Sequence, residues 1–168
     1  MNTNQIISLY VGYLWNGCSA SANQNGYNCL EAIDGITNVQ GNGWAYNGGF
    51  SAWAIFDLTE KRKMNILVIM NGQTGNHLRL ITFRVNLIVD GQWINLTGLK
   101  VQEDPSAQIA GDGTVTLASG IDILHLEFNT VSNVQSIRLD VTKTDDAAHN
   151  NLFLNEIIPK FEDREVKL

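Results

Sequence analysis

The sequence is poor in charge, proline and cysteine, and it has no long apolar run. Charged side chains make up 17% of the 168 residues, with 17 acidic residues against 11 basic ones. This acidic excess argues against a basic face that would hold a nucleic-acid backbone. Apolar stretches such as Ile66–Met70 are far shorter than the roughly 20 residues that cross a bilayer. The sequence therefore predicts neither a nucleic-acid partner nor a membrane span.

The scarcity of cysteine excludes the common zinc patterns. Cys18 and Cys29 lie eleven positions apart, a spacing that allows a small looped disulfide and equally allows two free thiols. The N-terminus lacks a basic segment followed by an apolar one, so no export signal is visible. Two locations stay open: the cytoplasm, or the outside of the cell if the chain is a piece of a longer secreted protein.

Apolar residues are abundant enough for one folded domain, at 44% of the chain. Their alternation with polar residues, and their bounding by Gly, Asn and Asp, predict strands almost everywhere. The predicted strands are Ile6–Tyr13, Trp53–Leu58, Asn65–Met70, Leu78–Val89, Gly113–Leu117, Ile121–Phe128, Val134–Lys143 and Phe153–Phe161. Only Asn28–Ile33 could hold a helical turn, and Asp90-Gly91 is the best hairpin signal. This pattern predicts an all-β, antiparallel sandwich.

Residues that would indicate catalysis are not arranged for it. His77, His125 and His149 are distant in sequence and fit no zinc spacing. Asp122 and Glu127 differ by five positions in one predicted strand, so they face opposite sides and cannot form a pair of acid and base. We therefore expect a protein that is not an enzyme.

The segment from residue 31 to residue 58 is the most informative. Asp34 and Gly35 open a loop rich in glycine and asparagine, and such a loop can offer several oxygens to a hard cation such as Ca²⁺. An Asp-Gly turn without an ion is the alternative reading.

The order of several short motifs resembles the discoidin-like (coagulation factor C-type) family of galactose-binding β-sandwiches, over roughly residues 8 to 161. These motifs are, in chain order, AIDG at 32–35, GW at 43–44, WAIFDL at 53–58, NILVIMNGQ at 65–73, FRVNLIVDGQW at 83–93, SIRLDV at 136–141 and LNEI at 154–157. The resemblance implies a jelly roll of about eight strands, and many members are carbohydrate-binding modules or lectins. It also implies a structural Ca²⁺ held by the early loop and a late acidic residue. The implied ligands are Asp34, Thr37, Asn42 and Glu156, with backbone oxygens near Glu31 and Ile36.

Sugar-binding members of this family use the loops at one end of the sandwich, where an aromatic ring stacks on the sugar and polar side chains bond its hydroxyls. The corresponding residues in this chain are Trp44, Tyr46, Asn47, Asn71, Gln73, His77 and Arg79. The family often has arginine where Asn71 and Gln73 stand. Trp44 follows Gly43 where the family buries a tryptophan, so Tyr46 is the better stacking surface, and Arg79 is also compatible with a solvated sheet face.

The sequence thus predicts a β-sandwich domain over residues 1–161 and a charged tail or linker over 162–168. The predicted function is a non-catalytic carbohydrate-binding module with a structural Ca²⁺. The alternative is a structural or protein-interaction domain that docks within a larger protein or a homo-oligomer.

Overall fold

The computed structural model describes residues 14–23, 26–36, 43–47, 51–71, 79–146 and 151–161. Within these ranges the chain forms ten strands and one 3-10 turn, which covers Cys29–Ala32. The strands are β1 (Trp15–Ala20), β2 (Trp44–Tyr46), β3 (Ala52–Asn71), β4 (Leu80–Val89), β5 (Gln92–Asn95), β6 (Lys100–Val101), β7 (Gln108–Ile109), β8 (Thr114–Thr116), β9 (Ile123–Thr144) and β10 (Leu152–Phe161). The predicted first strand, Ile6–Tyr13, and the predicted tail, 162–168, lie outside the described residues.

Two strands, β3 and β9, are much longer than the sequence predicted. Each replaces two predicted strands: β3 covers Trp53–Leu58 and Asn65–Met70, and β9 covers most of Ile121–Phe128 together with Val134–Lys143. Their pairing is irregular between Asp57 and Ile66, where the register shifts three times. Such bulges bend a strand and increase its twist. Each long strand can therefore contribute its two halves to different layers of the sandwich.

The hydrogen-bond ladder runs through both long strands and joins the ten strands into one folded sheet. In the first layer, β1 pairs with the first half of β3, which pairs with the second half of β9, and β4 follows with β5 and β8 along its other edge. In the second layer, β2, β10, the second half of β3, the first half of β9 and β6 lie side by side. All pairings are antiparallel, as predicted.

Alternation along the strands fills the space between the layers. The strand β3 buries Ala52, Ala54, Phe56 and Leu58 and leaves the residues between them half-buried. The largest fully buried side chains of the core come from both layers and include Phe56, Leu67, Ile69, Phe83, Leu87, Leu124, Leu126, Ile137 and Leu139. Burying each such side chain stabilises the fold by about 1.5–3 kcal/mol. Among the described residues, no helix has the length and apolar character needed to span a membrane.

Two local predictions are confirmed. The hairpin between β4 and β5 turns at Asp90 and Gly91, whose φ angles of 48° and 77° are the positive values that a tight two-residue hairpin requires. The predicted helical turn is present as the 3-10 turn, and the Asn28 side chain caps it by accepting a hydrogen bond from the Leu30 N–H at 2.8 Å.

The cysteines, which the sequence left open, form a disulfide. Cys18 lies in β1 and Cys29 begins the 3-10 turn, with Cα atoms 6.0 Å apart. The bond ties the segment before β2 to the edge of the first layer. That segment has little regular structure of its own. The cross-link stabilises the fold chiefly by limiting the freedom of the unfolded chain.

Both ends of the long strand β9 lie at one end of the sandwich. Arg79, just before β4, contacts Asp122 before β9 begins and Asp145 after β9 ends. The last residue of β3, Asn71, pairs with Leu154 near the start of β10, and the last residue of β2, Tyr46, pairs with Leu152. We call this region, where β2 and β3 end and β4 and β10 begin, the loop end.

Candidate functional site

The early aspartate and the late glutamate of the sequence are neighbours in the fold. Asp34 and Gly35 follow the 3-10 turn, and Glu156 lies in β10 opposite Met70. The negative charge of Asp34 and the backbone N–H of Gly35 both act on the Glu156 carboxyl. The two carboxylates are thus close enough for their charges to interact, although 122 positions separate them in the numbering.

Glu156 is an unusual side chain because it is fully buried and carries an ionisable group. Its relative exposure is 0%, and neither carboxyl oxygen completes a hydrogen bond of normal geometry. Burial, and then the charge of Asp34, raise the pKa of Glu156 to about 8, although the Gly35 N–H opposes this shift. A buried carboxylate without a partner is costly, so this carboxyl is either protonated or neutralised by a cation.

The loop that faces Glu156 is ordered by its own acidic residues. The Asp34 Oδ1 accepts a hydrogen bond from the Ile36 N–H at 2.8 Å, and Gly35 has a φ of 79°. Glu31 accepts a 3.4 Å hydrogen bond from the Gly43 N–H. Thr37 and Asn42, which complete the predicted metal ligands, lie outside the described residues.

The described residues contain no group of three or more His, Cys, Asp or Glu side chains suited to a metal ion. A hard cation at this place therefore needs backbone or amide oxygens beside the two carboxylates. Ca²⁺ accepts such mixed oxygen ligands. The Glu156 oxygens are buried without a hydrogen-bond partner, and the Asp34 carboxylate is adjacent to them. The two carboxylates fit this requirement.

Trp44, one of the predicted sugar-binding residues, belongs to the core. Its exposure is 0%, and its indole Nε1–H donates to the Ala22 backbone oxygen at 3.1 Å. Gly43 precedes it because a Cβ at this position would lie 2.4 Å from the Leu154 backbone oxygen. The ring is therefore inaccessible to a ligand, which agrees with the alternative that the sequence raised for this residue.

Asn71, also predicted to bind sugar, is buried as well, with 4% exposure. Its side-chain amide donates to the Ile121 backbone oxygen at 3.0 Å, and its backbone N–H donates to the Asp122 backbone oxygen at 2.7 Å. These bonds hold the chain before β9 against the end of β3. Asn71 therefore braces the loop end and does not present its amide group at the surface.

Tyr46 and Asn47 remain accessible at the loop end. Tyr46 is half-buried at the end of β2, and Asn47 is exposed next to it. Phe153 in β10 packs edge-on against Tyr27, with ring centroids 5.6 Å apart, and supports the backbone next to Tyr46. The predicted ligand-binding residues Gln73 and His77 lie outside the described residues.

Arg79 is held by two aspartates, whereas the sequence also allowed it to lie on a solvated sheet face. Its Nε donates to Asp145 at 2.7 Å and its Nη1 donates to Asp122 at 3.1 Å. The hydrogen bonds to Asp145 and Asp122 raise the pKa of Arg79 above its ordinary value. A Cβ at Gly120 would lie 2.4 Å from Asp145 and 2.9 Å from Arg79, so glycine leaves room for the pair.

A shallow groove of about 450 Å³ opens beside this arginine. Its lining includes Arg79, Ser119, Gly120, Lys143 and Asp145. The guanidinium has five N–H donors, so donors remain after the two ion pairs. Sequence reasoning missed Asp122 and Asp145 as partners of Arg79, because no local pattern reveals contacts over such separations.

A comparison of the sequence with models of protein families finds no match, and a comparison with curated proteins finds none either. Solved structures do match. The module CBM32-3 from a family 31 glycoside hydrolase of Clostridium perfringens has a TM-score of 0.67 at 16% identity, over 96% of this chain and 99% of that one. A pectin-binding carbohydrate-binding module has a TM-score of 0.63 at 20% identity, over 88% and 91%. The family 32 module of C. perfringens NanJ, in complex with galactose, has a TM-score of 0.65 at 13% identity, over 85% and 91%.

These modules share the discoidin-like, galactose-binding-like fold, and each of them is covered over nearly its whole length. Sequence identity at this level reflects the shared architecture. The fold prediction is confirmed: the chain has the antiparallel β-sandwich fold of discoidin-like, galactose-binding-like domains.

Proposed function

We propose that the chain is a non-catalytic carbohydrate-binding module whose sugar site lies at the loop end. The observation that carries this proposal is the half-buried Tyr46, which packs partly against the core, at the same end as a firmly held Arg79. Three proteins of the same fold support it, since one is described as pectin-binding, one as chitosan-binding and one as a complex with galactose.

The chemistry of this end suits a sugar. A pyranose has a face of C–H groups that packs on an aromatic ring, and a rim of hydroxyls that needs directional donors and acceptors. Tyr46 offers the ring, Asn47 offers an amide, and Arg79 offers the N–H groups that its two aspartates leave over. Because Asp122 and Asp145 fix the guanidinium before a ligand arrives, little side-chain freedom is lost on binding. Gln73 and His77 stay predicted members of this site.

We also propose that Asp34 and Glu156 hold a structural Ca²⁺. Support comes from the buried Glu156 oxygens that have no hydrogen-bond partner and from the neighbouring Asp34 carboxylate. Thr37, Asn42 and backbone oxygens near Glu31 and Ile36 would complete the shell. A bound cation neutralises both carboxylates and links the loop after the 3-10 turn to β10. Its role is structural, because the Glu156 carboxyl is fully buried and Asp34 is half-buried beside it.

A glycan array tests the sugar site. We expect the wild-type protein to bind at least one class of neutral or galactose-containing glycan. Tyr46→Ala and Arg79→Ala should lose this binding, whereas Tyr46→Phe should keep most of it because the ring remains. Arg62→Ala is the matched arginine control, because Arg62 pairs with Glu60 near the bend of β3, away from the loop end.

The opposite outcome is equally clear. An absence of binding to every glycan at high protein concentration, together with a defined oligomer in solution, would contradict the carbohydrate proposal and favour the protein-interaction domain. Unchanged binding in both Tyr46→Ala and Arg79→Ala would remove the site from the loop end.

A further inference from the structure

The outer face of the first layer carries an arrangement that the loop-end site does not use. Alternation places Trp53 of β3, Arg138 of β9, Asn86 of β4 and Trp93 of β5 on the side of their strands that points away from the core. The inward neighbours of Trp53, Asn86 and Arg138, such as Ala54, are buried. We call the surface formed by Trp53, Arg138, Asp140, Arg84, Asn86, Asn95 and Trp93 the tryptophan–arginine face.

The centre of this face is Arg138. The Cζ atom of its guanidinium lies 5.1 Å from the ring centroid of Trp53 and 5.7 Å from that of Trp93. Its Nε donates to both carboxylate oxygens of Asp140 at 3.0 Å, and its Nη2 donates at 2.7 Å. Cation–π contact and a two-oxygen ion pair thus hold the arginine and orient the two rings before any partner binds.

The remaining groups of the face are also paired with one another. The Asn86 amide donates to the Asn95 Oδ1 at 2.6 Å. Arg84 approaches Asp112 at 3.5 Å and Asp140 at 3.8 Å. The two arginines of the face therefore meet Asp140 within it and Asp112 beside it, so these four charges balance. The face offers neither a field to attract an anionic partner nor a free carboxylate to attract a cationic one.

The surface of the face is aromatic and polar, with few exposed apolar groups. Trp93 has 45% exposure and Trp53 is half-buried. The side chains of Ile55 in β3 and Ile88 in β4 are only partly accessible. Tryptophan and arginine are common at the centres of protein interfaces, but aspartate is depleted there, and this face has Asp140 paired with Arg138 at its centre. Fixed donors and acceptors between exposed rings are instead the groups that recognise a neutral, polyhydroxylated ligand.

We propose that the tryptophan–arginine face binds a neutral oligosaccharide, with sugar rings stacking on Trp93 and Trp53 and hydroxyls bonding Arg138, Asp140 and Asn95. Trp53 is the second residue of β3 and lies towards the loop end, whereas Trp93 follows the Asp90–Gly91 hairpin. A chain of a few sugar units lying across β5, β4, β9 and β3 can touch both rings. This inference rests on the geometry of the face and does not require the loop-end site.

The test uses the 168-residue chain with four neutral probes, cellohexaose, xylohexaose, mannohexaose and β-1,4-linked galactohexaose, each beside its monosaccharide. Oligogalacturonate is the acidic comparison. Indole N–H signals in a ¹⁵N NMR titration report directly on the face. We expect the Trp93 and Trp53 signals to shift with at least one hexasaccharide, and the signals of the buried Trp15 and Trp44 to serve as internal references. Calorimetry should show binding weakened roughly tenfold or more in Trp93→Ala, as loss of a stacked ring predicts.

Leu30→Ala is the matched control, because Leu30 is also exposed, at 53%, but lies on the 3-10 turn. Its affinity for the hexasaccharide should equal that of the wild-type protein. The proposal is overturned if no hexasaccharide moves the Trp93 signal, or if Trp93→Ala and Leu30→Ala bind alike. It is also overturned if only acidic oligosaccharides, such as oligogalacturonate, move that signal.

These outcomes separate the face from the loop end. Binding that Arg79→Ala abolishes while the Trp93 signal stays unmoved overturns the face and leaves the proposed function intact. A Trp93 shift that persists in Tyr46→Ala and Arg79→Ala supports the face even where the loop-end site fails.

Discussion

The buried carboxyl of Glu156 gives the sharpest prediction. Replacing Glu156 by Gln keeps the shape of the side chain and removes its ability to ionise. In the presence of a chelator, we expect Glu156→Gln to unfold with about the same free energy as the wild-type protein near pH 4.5 and to be clearly more stable at pH 9. In the presence of Ca²⁺, we expect the order to reverse.

The magnitude follows from the pKa. Burial, and then the Asp34 charge, raise the pKa of Glu156 from 4.5 to about 8, and each unit corresponds to about 1.4 kcal/mol. Between pH 4.5 and about pH 8, the unfolded chain has released the Glu156 proton while the folded chain keeps it. The free energy of unfolding therefore falls as pH rises. The loss begins near the unfolded pKa and is complete above the folded one. It amounts to roughly 5 kcal/mol.

Urea denaturation is monitored by tryptophan fluorescence, because the buried Trp15 and Trp44 report unfolding. Wild type and Glu156→Gln are compared from pH 4.5 to 9, once with chelator and once with Ca²⁺. Subtracting one protein from the other cancels the contributions of the titrating groups that do not interact with Glu156. Glu127→Gln is the control, because Glu127 lies in β9 and is partly exposed, so its difference from wild type should stay near zero.

Two results would refute the reasoning. If wild type and Glu156→Gln lose stability in parallel as the chelated samples are brought from pH 4.5 to 9, Glu156 is not held protonated in the interior. If Ca²⁺ stabilises both proteins equally, the ion does not bind through Glu156. A cation that binds only the folded wild type should stabilise it in proportion to the logarithm of its concentration.

Three further changes test the framework. Replacing both Cys18 and Cys29 by Ser should lower the free energy of unfolding by about 3 kcal/mol, given their separation of 11 residues, and reductant should then have no further effect in a thermal melt. Gly43→Ala should destabilise by about 2 kcal/mol or more, since its Cβ would lie 2.4 Å from the Leu154 oxygen, while Gly111→Ala, with open space around it, should be nearly neutral. Burial raises the pKa of Glu103, but hydrogen bonds from His125 outweigh it and hold that pKa below its ordinary value. The stability this pair contributes is present above pH 4.5 and lost as pH falls further, and Glu103→Gln should flatten that part of the wild-type curve; an unchanged curve would contradict the pairing.

The sequence predicted well those features that depend on neighbouring residues. Alternation over Trp53–Leu58 identified a strand with one buried face, and the Asp90-Gly91 pair identified its hairpin, because both signals are local. The continuity of β3 and β9 was not predictable in the same way. Their bends pass through charged and polar residues such as Glu60 and Asn133 that sequence rules assign to turns. Asn133 has the positive φ of 59° that is typical of a turn, and the two strands continue because they pair on both sides of the bend.

The candidate site shows the same limit more strongly. The resemblance already favoured Tyr46 over Trp44 as the stacking ring, but nothing in the sequence indicated that Asn71 is buried and bonded to the chain before β9. Arg79 meets Asp122 and Asp145 at separations of 43 and 66 residues. One sequence carries no signal for such pairs, since any of 17 acidic residues could have been the partner.

The segment between β1 and β3 carries Asp34, whose charge acts on the buried carboxyl of Glu156. Of this segment, the described part contributes only one 3-10 turn and the three residues of β2 to regular structure. Little ladder bonding therefore fixes it, and two other links replace part of that bonding: the Cys18–Cys29 disulfide and the Trp44 indole bond to Ala22. The cation that we propose between Asp34 and Glu156 would add a third link. The first two links do not depend on a metal ion, whereas the proposed third link would depend on pH and on the cation. We expect the chelator-sensitive part of the free energy of unfolding to be larger in the Cys18→Ser, Cys29→Ser variant than in the wild-type protein, because the proposed cation link then carries more of the constraint. Hydrogen exchange in β2 and β10 measures this effect. If the chelator changes exchange equally in the variant and in the wild-type protein, the disulfide and the cation link act independently.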